Sequence, residues 1–325
     1  MPGKSSYLGI ISLLVTTLLL LACSGGETAP TPTPTSVPFS PESIEPIILS
    51  TDLAVGPNRL MVGLVDKKQN NTIHGAQLHF RLFKLEPEGN KVKETLKAEM
   101  DARSVIIKKT FDEVHPGGIR HRHEVGEIGV YAARVEFDSL GDWGLEITGT
   151  LNSQPLPTFT PAFVVQQRTT TVPIGAPAPR SVQTILKDVK DVEEIDTSLV
   201  PNPDMHTTTI AEAVVSGKPT VIVFATPSFC VSRLCGPAKQ AVDSLYEKYK
   251  GKANFIHVEP YDLEKAHSGG GLVVLPWLVQ EWGLETEPWV FLVDRNGNIA
   301  DKFEGIVTEE EIEAGLTTLL NTARQ

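Results

Sequence analysis

The stretch VIVFATPSFCVSRLCGPAK, residues 221–239, holds two of the chain's three cysteines, and its reading decides the fold. It opens on a β-branched, apolar run of the kind that makes a buried strand. The run ends at Ala225, and a turn-forming segment then carries Cys230 and Cys235. Gly236 and Pro237 follow, after which Ala238, Ala241, Val242, Leu245 and Tyr249 recur at helical spacing as far as Gly251. The layout sets a pair of thiols at the start of a helix, where unpaired N–H groups and the helix dipole favour a thiolate. Arg233 and Lys239 add positive charge nearby. Cys235 is on these grounds the expected nucleophile and Cys230 the resolving thiol, with four intervening residues to turn one sulfur toward the other.

Strands and helices alternate from there to the C-terminus. Residues 254–259 read as a strand, 273–282 as a largely apolar helix stopped by Gly283, and 289–294 as another strand. Asp294-Arg295-Asn296-Gly297 supplies a hairpin turn into residues 299–303, and Thr308 with Glu311 forms a capping box for a last helix. Residues 173–325 resemble the thioredoxin and redoxin superfamily, through Phe224-Ala225, the Cys235-Gly236-Pro237 triplet and WGLETEPWVFLVDRNGNIADKFEG. The resemblance implies an α/β thioredoxin-like domain, and it implies that Pro288 is a cis-proline packed against the thiols. Glu287 then stands where the family presents backbone to a substrate; a carboxylate there opposes thiolate formation or accepts a proton. The motif departs from the family's C-G-P-C. Ala238 occupies the second cysteine's place, the partner thiol lies upstream as C-x4-C, and Val223 stands where a buried acid is common.

Upstream, residues 47–172 break into β-rich segments separated by turn residues: LMVGLVD, AQLHFRLFKL, SVIIKKTF, GVYAARVEF, WGLEITGTL and PAFVVQQ. Short strands at this spacing imply an all-β immunoglobulin-like sandwich. With Gly56-Pro57-Asn58-Arg59 leading its early strand, this region is similar to YtkA-like domains, some of them linked to copper. The Pro/Thr-rich segment 23–46 reads as an extended tether. Residues 1–22 form a signal-type leader with Lys4 as its only charge, ending in Leu20-Leu21-Ala22-Cys23. That ending resembles a bacterial lipobox and implies lipidation of Cys23; the alternative is an uncleaved anchor. Either way the rest of the chain is expected outside the cytosol, and the lipobox resemblance implies that lipid holds it to a membrane.

A net charge of −11 with 41% hydrophobic residues fits an acidic globular protein that does not bind nucleic acid. The expected partner is another extracytoplasmic protein carrying a thiol or disulfide, and the expected activity is thiol–disulfide exchange without a cofactor. A structural disulfide and a metal site are the alternatives for the cysteine pair. For metals, His121 and His123 set two imidazoles close together. Copper handling or redox-inert partner binding is accordingly the competing function. A peroxidatic reading of Cys230 is disfavoured, because Thr226 stands four residues before it and not three.

Overall fold

Alternation of apolar and polar residues draws the N-terminal half into strands: β1 (Ile44–Ile48), β2 (Gly56–Asp66), β3 (Asn71–Ile73), β4 (Gln77–Glu88), β5 (Lys91–Val114), β6 (Arg120–Phe137), β7 (Gly141–Leu151), β8 (Gln154–Pro155) and β9 (Ala162–Val165). Leu78, Phe80 and Leu82 of β4 and Trp143, Leu145 and Ile147 of β7 are buried at every second position. The structure is a computed structural model and describes residues 41–69, 71–115 and 120–322, so Cys23, the leader and most of the tether lie outside the described residues. Among the described residues no helix is long and apolar enough to cross a membrane.

The nine strands join in one sheet of order β1-β2-β6-β5-β4-β7-β8, with β3 on β2 and β9 on β7. Every pairing is antiparallel. The 24-residue β5 makes the sheet continuous, pairing with β4 through its first half and with β6 through its second. The immunoglobulin-like sandwich expected over residues 47–172 is corrected to a single, nearly closed barrel-like sheet. Alternation sets which side chains share a face but not which strands pair, and β5 contains neither Gly nor Pro to divide it.

The second half of the expected fold class is corrected as well. With 43% of the described residues in strands and 20% in helix the molecule is mostly β, and an α/β thioredoxin-like fold is not indicated. Among the described residues the α-helices are α1 (Ile210–Ala213), α2 (Cys235–Tyr249), α3 (Leu263–His267) and α4 (Glu309–Asn321), with a π-type turn at Leu278–Trp282. Residues 273–282 yield only that turn. Pro276 biases Leu275 away from helix, and Gly283, at φ +67°, closes the turn so tightly that a Cβ there would lie 2.0 Å from the Thr170 carbonyl oxygen.

Strands β10 (Thr220–Phe224), β11 (Asn254–Val258), β12 (Trp289–Val293) and β13 (Ile299–Glu304) form a smaller sheet of order β11-β10-β12-β13. Strands β10 and β11 run parallel, and β12 is antiparallel to both β10 and β13. Residues of β10 and β12 are buried on both faces, which explains their unbroken apolar runs. The two sheets meet where Ile306 and Leu234 pack on Met61, Val105, Val130 and Ala132. Polar clamps flank that contact. Arg59 makes two hydrogen bonds to Glu311, at 3.0 and 2.9 Å, and Lys302 lies 3.2 Å from Asp52.

Candidate functional site

Buried strand β10 delivers the chain to a turn at residues 225–230, where the Cys230 N–H donates to the Thr226 carbonyl at 3.0 Å. The loop then reverses through Arg233, which adopts the left-handed conformation at φ +64°. For a residue with a Cβ that conformation costs on the order of 1–2 kcal/mol. Cys235 follows as the first residue of α2, and its backbone N–H donates to Cys230 Sγ at 3.3 Å. Ser232 Oγ lies 3.1 Å from the same sulfur. Both cysteines are unbridged and buried, at 1% and 0% exposure, whereas Val231 between them is 81% exposed.

These contacts favour the thiolate at Cys230, where the sequence led us to expect it at Cys235. A hydrogen bond from the Cys235 side chain, helped by Ser232 and the helix-start N–H of Cys235, lowers the Cys230 thiol to about 6 against the pull of burial. Burial first, and then the neighbouring Cys230, push the Cys235 thiol well above its ordinary value. The helix start does favour a thiolate, but it serves the sulfur lying in front of the first N–H and not the sulfur attached to that residue. The expected cationic neighbours are spent elsewhere. Arg233 stacks over the Phe111 ring at 4.3 Å, and the buried Lys239 bonds Asp243 at 2.6 Å.

The Glu287–Pro288 bond is cis, and the Glu287 carboxylate and both sulfurs lie within 4.8 Å of one another. Burial raises the Glu287 carboxyl, while the Tyr261 hydroxyl donates to it at 2.7 Å. Cys230, Cys235, Glu287 and Pro288 thus come together, and Arg233 shares their loop with its charge turned away. His121 and His123 stand apart from the thiols, on the far stretch of the β5–β6 hairpin. His123 Nε2 is 2.8 Å from Glu113 Oε2, and the His121 ring meets that of His115 at 5.1 Å.

Beneath the cysteine turn lies a polar group that sequence reading missed. Asp196 Oδ2 is 3.2 Å from His206 Nε2, 3.4 Å from His257 Nδ1 and 3.9 Å from Lys239 Nζ, all of them buried. Burial opposes ionisation of Asp196, but His257, His206 and Lys239 outweigh it and hold the carboxyl well below the usual range. The Asp196, His206 and His257 ligand atoms all lie within 4.8 Å of one another, close enough to hold a metal. Glu259 accepts from the Thr197 N–H and hydroxyl, both at 2.7 Å. Among the described residues its other oxygen and Thr226 Oγ1 meet no partner at full hydrogen-bond geometry, although Thr226 is near enough to favour the carboxylate. Burial raises Glu259 to about 7. The signal was present: His257 and Glu259 sit in an otherwise apolar segment, FIHVEP. A cleft of about 280 Å³ opens beside this group, lined by His206, His257, Glu259, Tyr261, Gln183 and Trp277 among others.

No protein-family model and no curated protein matches the chain. Among solved structures, MtrC from Shewanella baltica OS185 matches at 10% identity with a TM-score of 0.23. The match covers 44% of this chain and 24% of that one, so the chain spans about a quarter of that protein's length. A likeness of that size carries no argument about fold or function.

Proposed function

We propose that the chain is an extracytoplasmic, membrane-tethered thiol–disulfide oxidoreductase working through Cys230 and Cys235. The observation that carries this reading is the pairing of one sulfur held toward thiolate with a second thiol that donates to it, next to a carboxylate. The Cys230 thiolate attacks one sulfur of a partner disulfide, forming a mixed disulfide and releasing the other partner sulfur as a thiolate. Cys235 then passes its proton to Glu287 and attacks Cys230. A Cys230–Cys235 disulfide forms and the second partner sulfur leaves as a thiolate that takes the proton back from Glu287, so two electrons and one proton pass to the partner, whose other thiolate is protonated by solvent. The same steps run backwards oxidise a dithiol. Val231 is the exposed apolar contact through which a partner reaches the loop, and relief of the Arg233 conformation helps the loop swing outward.

The test is trapping. A Cys235→Ser chain treated with glutathione disulfide is expected to retain a glutathionyl adduct on Cys230, measured as a mass increase, while the unaltered chain releases it. A potential for the pair far below about −300 mV, with no adduct trapped, would identify a structural disulfide instead. The two sulfurs and Glu287 within 4.8 Å also favour a second reading, capture of a thiophilic metal such as Cu(I). A micromolar or tighter Cu(I) complex lost in Cys230→Ser would support it.

A further inference from the structure

The polar group beneath the cysteine turn is built with a precision that thiol exchange leaves unexplained. Asp196 Oδ1 accepts from the Ser198 N–H at 2.9 Å and from the Ser198 hydroxyl, and Oδ2 accepts from the Asn202 N–H at 3.2 Å. The carboxylate is thus fixed from both sides. His257 Nε2 lies 2.9 Å from the Ala225 carbonyl oxygen, which can only accept. Nε2 therefore carries a proton, and in the neutral ring Nδ1 presents a lone pair. That nitrogen is buried 3.4 Å from Asp196 Oδ2, yet among the described residues it meets no partner at full hydrogen-bond geometry. Two buried acceptors held together in this way repel each other unless a cation sits between them.

The geometry points to a mononuclear site for a borderline divalent metal ion such as Zn(II), held by Asp196 Oδ2, His206 Nε2 and His257 Nδ1. The three ligand atoms lie mutually within 4.8 Å. Ligand atoms at ordinary zinc distances in a tetrahedral set are separated by about 3.3 Å. Oδ2 is 3.2 Å from His206 Nε2 and 3.4 Å from His257 Nδ1, so the two separations bracket that value. Two imidazoles and one carboxylate leave a fourth position for water or another ligand. The outer shell is also in place: a metal-bound histidine commonly donates its other N–H to a carbonyl, and a bound carboxylate is itself hydrogen-bonded. The Ala225 and Ser198 contacts fill those two roles. Lys239 Nζ, 3.9 Å from Oδ2, lies beyond hydrogen-bond reach and pairs with Asp243 at 2.6 Å, which leaves the charge of Asp196 for the ion. His206 and His257 line the cleft of about 280 Å³, together with Glu194, Asp262 and Glu264 and with no lysine or arginine. A cleft of one sign draws in a cation and gives it a route to the buried ligands.

The test uses the full chain carrying Cys23→Ser, Cys230→Ser and Cys235→Ser, so that no thiol binds the metal and the outcome is independent of thiol exchange. Titration with Zn(II) against a competing chelator is expected to show one ion per chain, and X-ray absorption at the zinc edge should count two imidazoles. Losing an outer-sphere partner alone costs about 10–100-fold in metal affinity. Adding Ser198→Ala should therefore weaken binding by about 10-fold, and adding His206→Gln or His257→Gln, which removes a direct ligand, by more than about 100-fold. Adding His121→Ala and His123→Ala, on the β5–β6 hairpin, should leave affinity unchanged. Circular dichroism without metal checks that each chain is folded, and the imidazole count needs no histidine variant to fold. Binding no tighter than micromolar would overturn the site and leave a proton as the cation between His257 and Asp196. An imidazole count other than two, equal affinity in His257→Gln, or affinity lost with His121 and His123 would overturn it as well.

Discussion

The chain begins its two long helices by different means, and the contrast separates structural from chemical use of a helix start. At α4, Thr308 Oγ1 accepts from the Glu311 N–H at 3.4 Å, and Glu311 reaches back to the Thr308 N–H at 3.3 Å. At α2 the residue before the helix, Leu234, offers no side-chain cap, and the first N–H is met by a sulfur five residues upstream. A hydroxyl cap stays a cap. A sulfur cap would change its acceptor strength if it were protonated or bonded to another sulfur, a dependence that the hydroxyl cap of α4 lacks.

The largest way to break this contrast is Cys235→Ala. It removes the leading cause of the low Cys230 value along with the second thiol. Exchange turnover should be abolished, and the midpoint of Cys230 alkylation against pH should move from about 6 toward the ordinary thiol range. An unchanged midpoint would show that the helix start alone sets it.

Next is the floor under the cysteine turn. Glu259 is raised from 4.5 to about 7, so the folded state holds a proton that the unfolded chain releases. Stability is lost as pH rises across that window, by about 3 kcal/mol in full. Glu259→Gln keeps the bonds from Thr197 and gives Thr226 Oγ1 a donor. It should stabilise the protein by up to about 3 kcal/mol at pH 8 and leave it unchanged near pH 4, as read from urea unfolding. Equal effects at both pH values would remove the proton from the explanation.

Gly236→Ala probes the first turn of α2, because a Cβ there would lie 2.5 Å from Thr110 Oγ1 of the hairpin. We expect a loss of about 1–3 kcal/mol, recovered in part by adding Thr110→Ala. Smallest is Thr308→Ala, which should cost about 1 kcal/mol of stability and leave thiol exchange untouched.

The cap on α4 was legible because its two partners lie three residues apart, within reach of local pattern reading. The strands at 220–224, 254–258 and 289–293 and the α2 helix were legible for the same reason: each is announced by its own apolar period. The hydrogen bonds at Cys230 and Cys235 were not, because they depend on where the loop aims one sulfur, which no spacing encodes. The single sheet was missed because strand period is blind to pairing, and residues 273–282 because apolar content outweighed Pro276 in the reading. The group of Asp196, His206, Lys239, His257 and Glu259 draws its members from four separate stretches, so only the fold assembles it.

The long strand β5 has a practical consequence for where this chain is cut. Its distal half supplies Thr110, whose N–H donates to the Arg233 carbonyl at 3.2 Å, and Asp112, which holds the Leu199 N–H. A fragment beginning at residue 173 would carry both thiols while lacking the wall against which their loop is shaped. It would also expose Leu234 and Ile306, and leave Glu311 without Arg59. The cysteine pair thus belongs to the sheet as much as to the segment that encodes it, and any thiol chemistry is best measured with the two still joined.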